Sequence, residues 1–300
     1  MDGPAVNKSL FKKLNDVFEH QSVKPLVDIG TCSLHPVHNA FHKALDCLPF
    51  DIEQFANDIY SWFKLSAARR QDYNAVKLEE LTETTDRFFL RPVSSRWLTM
   101  EPVCQRLIEQ YETLRNYFIN VLPKSSNSRA TCMLDRYKRI KAILEDSSTL
   151  AYLNFIVYLS SCVTPFLTFF QKEDPLVHVL YDGLNGLVRS LMLKFLKTES
   201  VENKTGQELC EVKCDDYQNW LSLTKIEVGV GTRKAIATVP GEDTRKELRR
   251  SFRKCLKALC MYLQSNLPLA NPLLRDICCL NHRIEKVKIH VQQLVDCVCS

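Results

Sequence analysis

"TLAYLNFIVYLSSCVTPFLTFFQ", residues Thr149 to Gln171, carries no charged side chain over 23 positions. This length is sufficient for a membrane span, but Asn154 and Ser160 interrupt the apolar run and Pro165 lies within it. No polybasic flank sets an orientation in a bilayer. We therefore expect a central helix that is buried on all sides, in a chain that does not associate with membranes.

The composition of the whole chain agrees with a helical fold. Hydrophobic residues make up 45% of the 300 positions, which is sufficient for a sizeable core, and only eight residues are glycine. The thirteen cysteines are scattered and odd in number, and the first residues lack the apolar centre of a signal peptide. These features favour a reducing compartment, the nucleus or the cytosol.

Apolar residues at helical spacing predict helices on both sides of this segment. The predicted helices are Asn7 to Glu19, one that begins in the histidine-rich segment after Gly30 and ends near Pro49, one capped by Asp51, Thr99 to Val121, Leu134 to Leu144, Pro175 to Lys197 and Glu242 to Leu267. The region from 199 to 240 is the least regular, and "LTKIEVGVG" within it predicts either a short strand or an ordered loop.

A single strand is predicted near the start, at Lys24 to Ile29, "KPLVDI". A lone strand cannot satisfy its own backbone donors and acceptors. Either its sheet partners are missing from this chain, or the segment is not a strand.

The helix from Glu242 is strongly basic. Between Arg245 and Lys257 the net charge is +6, whereas the whole chain carries +5. Apolar residues fall on one arc of this helix: Leu248, Phe252, Cys255, Leu256 and Leu259. Cationic residues fill the adjoining arc: Arg245, Arg249, Arg250, Arg253, Lys254 and Lys257. This face is suited to nucleic-acid phosphates, to a membrane surface or to a partner helix, or it is simply solvated.

Cys32, His35, His38 and His42 form a cluster with spacings of three and four. A structural zinc site needs two separated ligand pairs, and no second pair accompanies this one. We therefore predict no metal site and assign Cys32 and His35 a structural role at the start of a helix. The chain also has no glycine-rich phosphate loop, and nothing singles out a catalytic cysteine.

"SSRWLTMEP", Ser94 to Pro102, places Arg96 and Trp97 just before a predicted helix. Such a pair either packs in the core or offers a planar cation and an aromatic face to a nucleotide base.

Three stretches together resemble the catalytic region of hAT-type DNA transposases. "MDGPAVN" is similar to a segment that holds a metal-binding aspartate in the family, "CSLH" to its C-x-x-H segment, and "SSRW" to its S-R-W segment. The resemblance implies a ribonuclease-H-like α/β core interrupted by a helical insertion. It implies residues 1–50 as the remnant of that core and 51–300 as the helical insertion, irregular at about 199–240.

The resemblance also implies what the chain lacks. The family uses three carboxylates to hold Mg²⁺, and only Asp2 matches one of them, so we expect a vestigial site, no cofactor and no enzymatic activity. The same resemblance implies that Arg96 and Trp97 contact and support the bound DNA. The expected function is a catalytically inactive, transposase-derived nuclear protein that binds DNA or a protein partner.

Two alternatives remain open from the sequence. One is a metal-dependent DNA nuclease or transposase whose missing carboxylates come from another chain. The other is a pure interaction scaffold, with a protein partner pairing at the edge of the truncated sheet. The sequence does not set the oligomeric state.

Overall fold

The structure is a computed structural model that describes residues 5–21, 23–26, 32–79, 88–93, 99–124 and 131–280. These residues are mainly helical, as predicted, and they contain no β-strand. Their one isolated β-bridge joins Leu196 to Trp220.

The helices follow one another closely along the chain. Those of the first half are α1 (Ala5–His20), α2 (Leu34–Leu45), α3 (Ile52–Lys64), α4 (Ala67–Glu79), α5 (Met100–Glu109), α6 (Tyr111–Arg115) and α7 (Asp135–Glu145). Those of the second half are α8 (Thr149–Phe170), α9 (Val177–Met192), α10 (Gln207–Cys210), α11 (Val230–Thr238), α12 (Glu242–Asn266) and α13 (Pro272–Ile277). Short 3-10 or π-helical turns lie at Asn116–Val121, Leu122–Lys124, Thr198–Ser200, Tyr217–Asn219 and Cys278–Leu280.

Most predicted helices are confirmed, with bounds that shift by a few residues. The cap predicted at Asp51 is present, because its side chain accepts a hydrogen bond of 2.9 Å from the amide of Gln54. The segment "LTKIEVGVG" is an ordered loop up to the start of α11, and it buries Ile226 and Val228.

The helix predicted from Thr99 to Val121 is interrupted. Gln110 ends α5 with φ −112° and ψ 17°, and a π-helical turn follows α6. Gln110 is buried at this break, and its Oε1 accepts a hydrogen bond of 3.2 Å from the hydroxyl of Tyr73.

The strand predicted from Lys24 is wrong in the part that the structure describes. Val23 to Leu26 have no regular secondary structure, and 27–31 lie outside the described residues. The backbone finds other partners: the amide of Val23 donates to the carbonyl of Phe18 at 2.8 Å, and the amide of Leu26 donates to Oδ1 of Asn15 at 2.8 Å. The segment therefore folds back on the end of α1.

Contacts divide the chain into two units. The first comprises Met1–Lys43, Pro165–Ser222 and Leu256–Ser300, and the second comprises Ala44–Thr164 and Leu223–Cys255. The predicted division at residue 50 concerns ancestry and stays a prediction. In the first unit α9 packs against α13, and the segment after α9 is held by a bond from the guanidinium of Arg189 to the carbonyl of Lys204 at 2.7 Å.

The core of the second unit is a cluster of aromatic rings. Its members are Trp62, Phe63, Tyr73, Phe89, Tyr117, Phe118 and Tyr137, and all are nearly fully buried. Neighbouring rings lie 4.8 to 6.3 Å apart between centroids, the range in which tilted and edge-to-face pairs are favourable. The cluster joins α3 and α4 to the π-helical turn and α7.

The uncharged segment forms α8, as predicted. Among the described residues it is the one helix long and apolar enough to cross a membrane, with 44% of its most apolar window buried. The core helix of a soluble protein passes the same test, so this is weak support for a membrane span. Ala151, Leu153 and Leu159 are fully buried within the fold, as expected of a core helix, but the helix is not buried on all sides as predicted, because Phe169 near its end is 41% exposed.

Candidate nucleic-acid interface

The basic helix α12 starts at a glycine turn. Gly241 has φ +83°, a backbone conformation that glycine adopts readily, and its carbonyl accepts a bond of 3.3 Å from the amide of Arg245. Glu242 and Asp243 occupy the first helical turn, where carboxylates interact favourably with the helix dipole. The sequence thus sets a sharp beginning for a 25-residue helix.

One face of α12 is buried, and it is the predicted one. Its residues have an exposed fraction of 1% or less: Leu248, Phe252, Cys255, Leu256 and Leu259. Within the second unit, the ring of Phe252 stacks on that of Phe155 in α8, with centroids 4.3 Å apart and an interplanar angle of 25°. Tyr152 meets Phe252 edge-on at 5.5 Å. These contacts fix the rotation of α12 about its axis.

The six predicted cations lie off the buried stripe. Arg250 and Lys254 are exposed, and the other four are half-buried: Arg245, Arg249, Arg253 and Lys257. The predicted arrangement of an apolar face beside a cationic face is therefore confirmed.

Acidic residues on the same helix neutralise part of the cationic face. Arg245 contacts Glu242 at 3.1 Å, Lys246 contacts Asp243 at 3.8 Å, and Arg250 pairs with Glu247. All three pairs have a spacing of three residues and at least one well-exposed partner, so each contributes little to stability. They lower the effective charge of the face below the value suggested by its arginines and lysines alone.

The remaining cations differ in their surroundings. Neither Arg249 nor Lys254 forms an ion pair with a described residue, so both keep an uncompensated charge. Burial lowers the pKa of Arg253, and the neighbouring charge of Arg250 lowers it further. An anion that approached this group of cations would relieve their mutual repulsion.

Lys257 belongs to the first unit and has an aromatic neighbour there. Its ammonium group lies 6.0 Å from the ring centroid of Trp220. The indole nitrogen of Trp220 donates to the carbonyl of Cys214 at 2.9 Å, so the ring is held in place. This contact is at the long end of the range for a cation–π interaction.

Three predicted site residues lie outside the described part of the chain. They are Asp2, Arg96 and Trp97. The predictions of a vestigial carboxylate and of an Arg–Trp support for DNA therefore stay predictions.

The predicted structural pair, Cys32 and His35, occupies the start of α2. Cys32 is half-buried and His35 is exposed, whereas Ser33 and Val37 are buried. The structure therefore places His35 on the solvent side of the first turn of α2. Its exposure means that burial of its side chain adds little to stability.

The structure brings together two histidines to which the sequence reading gave no role. Nε2 of His38 and Nε2 of His42 lie 3.1 Å apart, and their ring centroids lie 4.4 Å apart at an angle of 72°. The signal in the sequence is their spacing of four residues, which places two side chains on one face of a helix.

A small cleft in the second unit combines aromatic and cationic side chains. It has a volume of about 180 Å³ and is lined by Tyr60, Phe63, Lys64, Arg70, Phe88 and Phe89. The guanidinium of Arg70 lies 5.9 Å from the centroid of Phe88, and the ammonium of Lys64 lies 5.2 Å from that of Tyr60. Sequence reasoning missed the cleft because its residues come from three separate segments.

No established metal or family signature accompanies these features. In the described ranges, no three His, Cys, Asp or Glu side chains converge in an arrangement that could hold a metal ion. Comparisons of the chain with protein-family models, with curated proteins and with solved structures found no match.

Proposed function

We propose that this chain is a non-enzymatic nuclear protein that binds the phosphate backbone of DNA through the cationic face of α12. The observation that carries the proposal is the docking of α12 by its apolar face. Phe252 is fixed in the core of the second unit, so Arg249 and Lys254 are presented on a rigid element. Rigid presentation lowers the entropy lost when the side chains engage a phosphate.

The charge of this face favours DNA over a neutral partner. Between residues 242 and 257 the helix keeps a net charge of +4 after its three acidic residues are counted. Backbone contacts of this kind carry no sequence information, so we expect affinity without sequence preference. The free energy of binding would come mainly from the release of counterions.

The origin of the chain forms part of the proposal. We propose a domesticated relative of hAT-type transposases, in which the described helices belong mainly to the helical insertion of a ribonuclease-H-like core. Support comes from the order of the three similar segments in the sequence. Asp2 is the residue of this sequence that matches a catalytic carboxylate of the family, and the function we propose is binding without Mg²⁺-dependent cleavage.

Fluorescence anisotropy with a labelled duplex across a salt series tests DNA binding. The variant R249A/R250A/K254A removes three cations of α12, and the control K12A/K225A/K234A removes three exposed lysines from elsewhere. The slope of log K against log salt is negative, and loss of three phosphate contacts should reduce its magnitude by about 3. The control should keep the wild-type slope.

Two outcomes would overturn the proposal. One is the absence of measurable affinity at low salt, and the other is an equal salt dependence for the two variants. Arg249 is half-buried and the other five substituted side chains are exposed, and circular dichroism before the titration should show the same helical content in all three proteins.

A further inference from the structure

A pair of histidines on α2 has the geometry of a metal chelate. His38 and His42 belong to the first unit and are separated by one helical turn. Their Nε2 atoms lie 3.1 Å apart. In proteins, histidines at this spacing on one face of a helix form the two-imidazole part of zinc sites.

The helix holds the pair in place through its buried side. Val37, Ala40 and Ala44 are fully buried, so the backbone of α2 is anchored on both sides of each histidine. His38 and His42 are half-buried at the border of this side, and the ring of Phe41 lies edge-on to His42 at 6.2 Å. The imidazoles are therefore oriented by packing and still reach solvent.

The nitrogen separation can be compared directly with metal geometry. Two nitrogens 3.1 Å apart, each about 2.05 Å from one ion, subtend an angle of about 98° at that ion. This value lies between the right angle of octahedral coordination and the wider tetrahedral angle. For both Nε2 lone pairs to coordinate one ion, each ring must carry its proton on Nδ1, so a proton shared between the two Nε2 atoms moves to Nδ1 or is released when the ion binds.

We infer that His38 and His42 chelate a divalent late transition-metal ion, of the class Zn²⁺, Ni²⁺ or Cu²⁺. Neutral imidazole is a good ligand for these ions. Hard cations such as Mg²⁺ prefer oxygen ligands instead. In the described ranges no third side chain completes the set. The sequence predicts no metal site here, because a structural zinc site takes two separated ligand pairs and this cluster is a single group.

The residue directly after the first histidine argues for metal binding without hydrolysis. In the H-E-x-x-H arrangement of metalloproteases, a glutamate directly after the first histidine is the general base. Asn39 occupies that position here and is exposed. Its amide cannot accept the proton of a metal-bound water, so this position supplies no general base.

Isothermal titration of the full chain with NiCl₂ tests the inference. Accessible thiols are first blocked with N-ethylmaleimide, because cysteines bind the same ions. The variants H38N and H42N each remove one ligand, and H178N is the matched control, a half-buried histidine on α9. H35N, on the same helix as the pair, is a second control.

We expect wild type to bind one Ni²⁺ and each ligand variant to bind at least about tenfold more weakly, with the two controls unchanged. Ni²⁺ should also raise the Tm of wild type and of the controls but not that of H38N or H42N, because an ion that binds only the folded state stabilises it. Equal binding by wild type and both ligand variants would show that the ion binds elsewhere, and no binding by any protein would show that the pair does not chelate it. Either result would overturn the inference.

Discussion

Asp58 on α3 and Arg139 on α7 form a two-point ion pair. Nε of Arg139 lies 2.7 Å from Oδ2 of Asp58, and Nη2 lies 3.0 Å from Oδ1. Arg136 and Gln54 donate to the same carboxylate at 3.3 and 3.0 Å. Asp58 is only 3% exposed, so almost all of its acceptor capacity is used within the protein.

Replacement of Asp58 by alanine should destabilise the second unit. The change leaves the donors of three side chains without their acceptor, and we expect a loss of about 2–3 kcal/mol in the free energy of unfolding. Urea denaturation followed by circular dichroism measures it. D135A is the control, because Asp135 is exposed and makes only a long contact of 3.8 Å with Lys138. This variant should change the free energy of unfolding by less than about 0.5 kcal/mol. Equal losses would mean that the network around Asp58 does not stabilise the fold.

Gln264 on α12 should be a second sensitive position. Its Nε2 donates to the carbonyls of Leu209, Cys210 and Val212 at 2.8, 3.2 and 2.9 Å, which satisfies the end of α10. The variant Q264L removes the donor while keeping a side chain of similar size, and we expect a loss of about 1–3 kcal/mol. The control N266A removes only a bond within α12, to the carbonyl of Tyr262, and should cost less. A Tm for Q264L at or above that of N266A would contradict this.

Two glycines should respond to alanine with opposite signs. Gly229 has φ +82°, and a Cβ there would lie 2.5 to 3.0 Å from Tyr158, including the base of its side chain. G229A should lose about 2–4 kcal/mol through strain and overpacking. Gly186 is exposed in α9 with nothing within 4 Å of a Cβ, so G186A should gain about 0.5–1 kcal/mol. Thermal unfolding of both variants checks the pair, and a shift of Tm in the same direction would be inconsistent with this geometry.

Stability should fall as the pH rises above 9. Burial raises the pKa of the Cys214 thiol to about 12 from an ordinary value of 9.0, with a further increase from Asp215 and a decrease from Lys257. Below pH 9 the thiol is protonated in both states and has no effect. Between pH 9 and 12 the unfolded chain releases the proton while the folded chain retains it, so unfolding becomes more favourable.

Urea unfolding in reducing buffer at pH 8 and pH 10 measures this effect. C214A lacks this group. Between pH 8 and pH 10 the free energy of unfolding of wild type should therefore fall by up to about 1.4 kcal/mol more than that of C214A. Other buried thiols, such as Cys278 with its pKa raised to about 11, contribute in the same direction and remain in the variant. An identical pH dependence in the two proteins would exclude Cys214 as a contributor.

Periodicity predicted the long helices well because burial follows it directly. In α12 the apolar arc read from the sequence is the buried face, and in α3 the cap at Asp51 fixes the first residue. The break at Gln110 was not predicted, because the apolar spacing continues through this position, and the buried contact of its side chain is with Tyr73, a residue 37 positions earlier in the chain. The short helix α11 was missed because its start depends on the close approach of Gly229 and Gly231 to α8.

The candidate sites also combine features that local spacing predicts with features that depend on contacts in the fold. The cationic face of α12 follows from local spacing, and the sequence predicted it. The pairing of acids with cations within α12 also follows from spacing, but the sequence reading counted charges without tracing contacts. The separation of His38 and His42 depends on side-chain rotamers, which no sequence pattern specifies.

For the proposed binding to DNA, the acidic residues within α12 have a consequence for the rate of exchange. Glu247 is a counterion that is covalently part of the helix, so it cannot diffuse away when a phosphate replaces it beside Arg250. Such a contact gains less entropy from ion release than one made by Lys254, whose counterions are free in solution. A tethered competitor also stays ready to recapture its arginine, which favours rapid dissociation. The proposed interface would therefore favour brief, repeated encounters along a duplex over a long-lived complex at one place.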